Sequence, residues 1–325
     1  MQVNKFFIWD YWRQVHRSLD EAAAVMHKSM KPTVRWQGFY PLNAFTGIDS
    51  ILQGFWKPFL HSFIRISREP HLFFAGAYQE SEWVTGYGYL NAFFVNDWLG
   101  IPATGEPIKI RFGEFYNLAD GKIAEVYTLI DVLDVMYQAG INLLPPSKGA
   151  EIIAPPPETR DGVMHSIAER EISQATYDHI HGLFFEGFNT FDGRDKTSME
   201  LSRFIAPEFR WYGPMGLGTF DSFTAYLLHY QQPFVEAFPN FRYTAHQALI
   251  AEATYSASCG FPGIIATHTG EYLGQPATDN PVRLRTMDWW RHKGPKLVES
   301  WMLIDMPDLF RQFDTDLFAQ MSSGE

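Results

Sequence analysis

Carboxylates set among aromatic side chains are the residues of this sequence best suited to chemistry. Glu114 and Asp131 lie close in sequence to Tyr116 and Tyr127, and Asp288 and Asp305 lie close to Trp290 and Trp301. A carboxylate walled in by aromatic rings loses hydration, so its pKa rises toward neutrality, and the rings keep water from a carbanion. That is the setting an enolising base needs. The two sets belong to a repeat: Leu99 to Asp131 and Leu273 to Asp305 align without a gap at an offset of 174, with 12 of 33 positions identical.

The hairpin in each copy fixes which side chains meet. Asp120-Gly121 predicts a two-residue turn. Pairing outward from it sets Glu114 opposite Tyr127 and, by the repeat, Asp288 opposite Trp301 and Trp290 opposite Glu299. Opposed residues share a face. One face then carries Asp288, Asp305, Trp290 and Trp301 (Glu114, Asp131, Tyr116 and Tyr127 in the first copy), and the other carries Arg285, Met287 and Met302. Asp131 and Asp305 each begin a short helix as well, so helix capping and an ion pair with Arg283 or Arg285 stand beside catalysis as readings of Asp305. His268 separates the copies, because its counterpart is Phe94. It is read as a donor to an enolate oxygen, as a group sharing a proton with Asp305 or Asp288, or as a core histidine bonded to a backbone carbonyl. Tyr212, Tyr272 and His246 are candidate pocket-lining residues, as is Trp83 in the first copy. His179 and His181 sit two apart on a predicted helix and point to different sides, so no metal site is expected.

The elements that hold these residues also repeat. Residues 5–30, with apolar side chains at helical spacing, predict a helix. Val34 to Phe39 predicts a short strand, Gly47 to Phe63 a second helix broken near Pro58, then long strands over about 72–79, 83–95, 107–117 and 122–130. A closing helix runs from Asp131 to Ala139. Phe220 to Phe238 repeats Phe45 to Phe63 at an offset of 175, with the Pro-Phe pairs 58–59 and 233–234 in register. The chain of 325 residues therefore reads as two complete α+β domains, 1–144 and 161–325, joined by a proline-rich linker over 145–160. Each is expected to wrap a curved antiparallel sheet round its helices and leave an apolar pocket between them.

Composition narrows the function classes. The chain is 46% hydrophobic and 16% aromatic, with a net charge of −11, which excludes the basic footprint of a nucleic-acid or anionic-membrane binder. One cysteine, Cys259, permits no intrachain disulfide. The N-terminus lacks the apolar core of a signal peptide and no run approaches membrane-spanning length, so a cytoplasmic protein is expected. No phosphate-binding loop, nucleophile elbow or dinucleotide fingerprint is present.

Gly213-Pro214-Met215-Gly216, Phe238-Pro239-Asn240, the run from His268 to Thr278, and Glu299-Ser300-Trp301 through Asp305 together resemble the SnoaL-like polyketide cyclases of the nuclear transport factor two-like superfamily. The first copy carries the C-terminal half of the pattern, in Gly100 to Gly105, Gly121 to Glu125 and Asp131 to Gly140. The resemblance implies cone-shaped α+β barrels, pairing of modules through their sheets (here as a pseudo-dimer within one chain, with further homo-oligomers open), no cofactor, and aldol closure driven by a buried acid–base Asp. Asp305, His268 and Asp288 of the second copy are the expected catalytic residues, with the first copy degenerate. The expected function is acid–base chemistry on a small hydrophobic carbonyl compound. A non-catalytic pocket protein is the alternative, and an epoxide-opening Asp-Arg-Asp hydrolase ranks last because alternation sets Arg285 away from both carboxylates.

Overall fold

A computed structural model describes residues 1–244 and 246–323. They form two compact units. The first holds Met1–Asn142, Glu158–Ile167 and the residues from Phe318 on; the second holds Leu143–Pro157 and Ala168–Leu317. The stretch read as a linker is thus shared, grouping with the second unit up to Pro157 and with the first from Glu158. Among the described residues no helix is long and apolar enough to cross a membrane.

In the first unit the expected single helix over 5–30 is two, α1 (Gln2–Gln14) and α2 (Leu19–Ser29). Ser18 makes the break. Its hydroxyl accepts from the Glu21 N–H, in the Ser-x-x-Glu spacing of a capping box. After β1 (Met30–Gln37) and β2 (Ala44–Thr46) comes the helix of Ile48–Ser62, built as α3 (Ile48–Ile51), a wide π-turn at Leu52–Trp56 and α4 (Lys57–Ser62). Pro58 falls in the first turn of α4, directly after the π-turn, which accounts for the interruption there. Strands β3 (Phe63–Tyr78), β4 (Ser81–Phe94), β5 (Pro107–Ala119) and β6 (Lys122–Ile130) follow, then α5 (Val132–Gln138). The sheet order is β2-β1-β6-β5-β4-β3, with β1 and β6 parallel and its other neighbours antiparallel.

The second unit repeats the plan. Helix α6 (Arg170–Gly182) runs into a π-turn at Leu183–Gly187, followed by β7 (Ile205–Tyr212) and β8 (Thr219–Phe220). The second helix is again α7 (Phe223–Tyr226), a π-turn at Leu227–Gln231 and α8 (Gln232–Ala237), with Pro233 in place. Strands β9 (Arg242–Tyr243), β10 (Ala248–Glu252), β11 (Tyr255–Thr267), β12 (Pro281–His292) and β13 (Leu297–Ile304) complete the sheet, and α9 (Met306–Gln312) follows; α10 (Leu317–Ser323) belongs to the first unit from Phe318 on. The sheet runs β10-β11-β12-β13-β7-β8, with β9 on β11. These are the two α+β units that the duplication predicts.

The register corrects the expected faces. Asp120 and Gly121 both have positive φ, as a two-residue hairpin turn requires, and Ala119 pairs with Lys122 as expected. A bulge between Asn117 and Leu118 then shifts every later pair by one. Glu114 lies opposite Thr128, and Tyr127 opposite Phe115. The second hairpin slips in the same way between Arg291 and His292, so Asp288 faces Met302 and Trp289 faces Trp301. One added residue moves the whole far strand to the other side.

Candidate active site

The shifted register divides the predicted carboxylates between two faces in each unit. In the second unit, Asp288 and Trp290 point to the helices with Met302 and Ser258, the latter cross-strand from Asp288. Tyr230, from the π-turn, donates to Met302 Sδ at 3.5 Å and stacks on Trp211 at 4.2 Å between ring centroids. Asp288 is 5% exposed, and no hydrogen-bond donor or cation engages its carboxylate among the described residues. Burial alone holds its pKa well above the ordinary carboxylate range. Its charge acts in turn on three buried tyrosines. Tyr226, Tyr230 and Tyr243 are raised first by burial and further by Asp288.

Beside it stands His246. The Ser258 hydroxyl lies 2.8 Å from His246 Nδ1, while His246 Nε2 is buried without a partner. Desolvation, then the charge of His181, lowers this imidazole to about 4, so it is neutral at pH 7. Phe184 packs edge-on against His246, Tyr243 and Trp290, at centroid distances of 4.6, 4.7 and 5.6 Å. The helix-facing side of the sheet thus carries one ionisable acid, one neutral imidazole with a free nitrogen, and aromatic walls.

The same ladder position in the first unit is occupied by a hydrogen-bonded network centred on Arg68, whose Nε and Nη2 are buried without a hydrogen-bond partner among the described residues. Arg68 Nη1 lies 2.7 Å from Glu114 Oε2, and Tyr116 donates to that oxygen at 2.8 Å. Trp12 Nε1 donates to the Tyr116 hydroxyl at 2.9 Å. The Arg68 guanidinium also lies over the rings of Trp12 and Phe112, at 4.2 and 4.3 Å. Trp12 fills the space above the sheet so closely that a Cβ on Gly86, the cross-strand partner of Glu114, would sit 2.0 Å from its ring. Strand pairing names what changed between the copies. Arg68 lies opposite Leu90 and Tyr243 opposite Ile264, which match at the offset of 174, so Tyr243 stands where the first unit has Arg68. Trp290 stands where it has Tyr116, and Ser258 occupies the ladder place of Gly86.

The remaining predicted residues lie elsewhere. Asp305 is on the opposite face from Asp288, with Arg285, whose Nη1 is 3.1 Å from Asp305 Oδ2 and whose Nε is 3.7 Å from Asp308 Oδ2. Asp305 also caps α9, accepting from the Asp308 N–H at 3.4 Å. Asp131 caps α5 in the same way, with Arg111 Nη1 at 3.9 Å. The expected separation of Arg285 from both carboxylates is therefore corrected: it pairs with Asp305, while Asp288 stays apart, and the three do not assemble.

Trp301 and Tyr212 stack at 5.5 Å on that far face, where Trp301 Nε1 donates to the Pro155 carbonyl at 2.9 Å. Tyr127 likewise lies away from Glu114, its hydroxyl on Glu125 and its ring 6.0 Å from Trp83. His268 is buried against Phe313 at 3.9 Å and Phe238 at 5.5 Å, with Nδ1 3.1 Å from the Thr278 hydroxyl, and its counterpart Phe94 stacks on Phe63 at 4.8 Å. The charges that act on His268 are Glu271 and Asp279 rather than Asp288 or Asp305. Tyr272, with its hydroxyl buried and unpartnered, lines a cavity of about 160 Å³ together with Tyr230 and the strap Pro145 to Lys148. Tyr226, Tyr230, Tyr243 and Ser258 were not singled out from sequence. They come from a helix and strands whose periodicity marks them only as core. Among the described residues no group of three or more His, Cys, Asp or Glu is placed to hold a metal ion.

The sequence pattern of the SnoaL-like polyketide cyclases matches residues 71–139 and 192–313, one stretch in each half. The chain belongs to that family. Similar solved structures include AclR, a candidate hydroxylase from Streptomyces galilaeus, at 19% identity over 44% of this chain and 97% of that one, with a TM-score of 0.36. IdmH, a candidate polyketide cyclase from Streptomyces antibioticus, is 22% identical over 43% and 99%, with a TM-score of 0.34. A candidate SnoaL-like cyclase from Jannaschia sp. CCS1 is 15% identical over 44% and 97%, with a TM-score of 0.37. No curated protein matches the chain.

Proposed function

We propose that the second unit of this SnoaL-like protein performs acid–base chemistry on a small hydrophobic carbonyl compound, as an aldol cyclase or a related isomerase, with Asp288 as the proton-transferring group. The observation that carries this reading is a buried carboxylate with no partner among the described residues, facing aromatic walls. Ionised, Asp288 removes a proton from the carbon between two carbonyls. The resulting enolate attacks a second carbonyl of the same molecule, forming one C–C bond, and the alkoxide takes the proton back from Asp288. Atoms balance without a co-reactant. With the Ser258 hydroxyl donating to Nδ1, His246 presents Nε2–H as a donor to the enolate oxygen, and its neutrality keeps it from protonating the carbanion. Asp305 and His268 act structurally in this reading, the first as cap and ion pair and the second as core.

The test is deuterium exchange at the acidic carbon of an aryl 1,3-diketone, followed by NMR. Asp288→Asn should slow exchange by about 10²- to 10⁴-fold, the span of a positioned base, and Asp305→Asn should leave it near wild type. The wild-type rate should rise with pH through the elevated Asp288 pKa. If Asp288→Asn exchanges as fast as wild type, or wild type no faster than buffer, the pocket only binds and the proposal fails.

A further inference from the structure

The first unit has a charge feature that its Glu114–Arg68 network does not explain. A groove of about 500 Å³ lies between the α1–α2 junction, α4 and the start of β3, and its lining includes His16, Arg17, Lys57, His61 and Arg65 but no carboxylate. In a chain of net charge −11 this is a local inversion of sign. The cations are also largely unspent. Arg17 has Glu21 3.9 Å away, an exposed ion pair. Lys57 reaches only the Gln53 amide at 3.2 Å, and Arg65 lies over the Phe93 ring at 5.7 Å.

Two further observations separate this groove from ordinary surface charge. Arg65 has φ 54°, within the bulge between Ile64 and Ser67. A non-glycine residue in that region costs energy, and such strain collects at functional positions. The duplicated unit supplies a control. At the offset of 175 that relates the two second helices, Lys57, His61 and Arg65 correspond to Gln232, Glu236 and Asn240. At these three positions only the first copy is basic; in the second, Glu236 has Lys196 3.7 Å away. Its groove also has an apolar wall that includes Leu60 and Ile64, the latter 43% exposed. Its volume falls within the range of small-molecule sites.

We propose that this groove binds an organic phosphate. Arg17, Lys57 and Arg65 hold the phosphoryl group, and the apolar body lies on Leu60 and Ile64. Guanidinium groups match the geometry of phosphate oxygens, and three converging charges suit a dianion better than a carboxylate.

Isothermal titration of the full chain with hexyl phosphate tests this, with inorganic phosphate, hexanoate and hexanol as comparison probes. Hexyl phosphate should bind most tightly of the four, and binding should weaken as salt rises. The double variant Lys57→Gln/Arg65→Asn installs the residues of the second copy, and asparagine tolerates positive φ, so the fold should hold and a thermal melt checks it. Its affinity for hexyl phosphate should fall on the order of tenfold for each cation removed. Equal affinity of wild type and a folded double variant would overturn the proposal. So would hexanol or hexanoate binding as tightly as hexyl phosphate, or inorganic phosphate matching it.

Discussion

Glu114 and Asp288 occupy the same place in duplicated hairpins, yet they sit in opposite electrostatic situations. Glu114 is engaged by Arg68 and Tyr116. Asp288 has Tyr243 and Trp290 at those positions and no engaged cation. A buried carboxylate with a guanidinium partner has its charge compensated; one without a partner is held at a desolvation cost, the setting on which the proposed role of Asp288 rests. The partners that differ, Arg68 against Tyr243 and Tyr116 against Trp290, lie far from each carboxylate in sequence or two residues from it.

That comparison can be broken at its two ends. Glu114→Gln strands the buried Arg68 charge, and a cost of about 3–5 kcal/mol is expected, read as a lower denaturation midpoint. Asp288→Asn should do the reverse and stabilise the protein at pH 8. The sign follows from the raised pKa: the stability that protonated Asp288 contributes is full below the unfolded carboxylate value and is lost as pH rises through the folded one. The advantage of Asp288→Asn over wild type should therefore grow with pH. Destabilisation by both substitutions would remove the asymmetry.

Transplanting the cation sharpens the point. Tyr243→Arg places a guanidinium where Arg68 stands in the first unit, and it should lower the Asp288 pKa by about 1–3 units, moving the pH profile of exchange down by the same amount. An unmoved profile would mean that Tyr243 and Arg68 are not equivalent.

The capping aspartates should behave alike. Asp131→Ala and Asp305→Ala each lose a cap hydrogen bond and an arginine partner, and each should cost about 1–2 kcal/mol, measured by chemical denaturation, with diketone exchange unaffected. A kinetic defect confined to Asp305→Ala would return that residue to the catalytic set.

Acid should separate the units last and least. Burial lowers His179, His246, His268 and His292 in the second unit, against His16 and His71 in the first. A lowered histidine contributes stability above its unfolded pKa and loses it as pH falls below about 6.5. Asp288, with a raised pKa, works the other way. Hydrogen exchange read by mass spectrometry should show protection falling first in 168–317 as pH drops from 6.5 toward 5; earlier loss in the first unit would contradict this.

The duplication, the broad order of elements, the second helix of each unit interrupted at its proline and the nearness of aromatics to the acids along the chain were legible in the sequence, because each rests on spacing along one segment; the π-turns were not. Ser18 starts α2 in the spacing of a capping box that was present to be read. Which acid is free was not legible. The bulge at Arg291 moves Asp305 to the face of Arg285 and leaves Asp288 facing the helices, as the bulge after the Asp120-Gly121 turn moves Asp131 to the face of Arg111. Periodicity counts residues and does not see an extra one accommodated in a ladder.

By itself, then, the sequence determined two copies of one α+β module with matched hairpins that carry acids among aromatics. Only the tertiary structure decided which acid is spent. Arg68 and Tyr243 reach the hairpin from a neighbouring part of the sheet, and the pKa of a buried carboxylate depends on what lies within a few ångströms in space, wherever that residue stands in the chain.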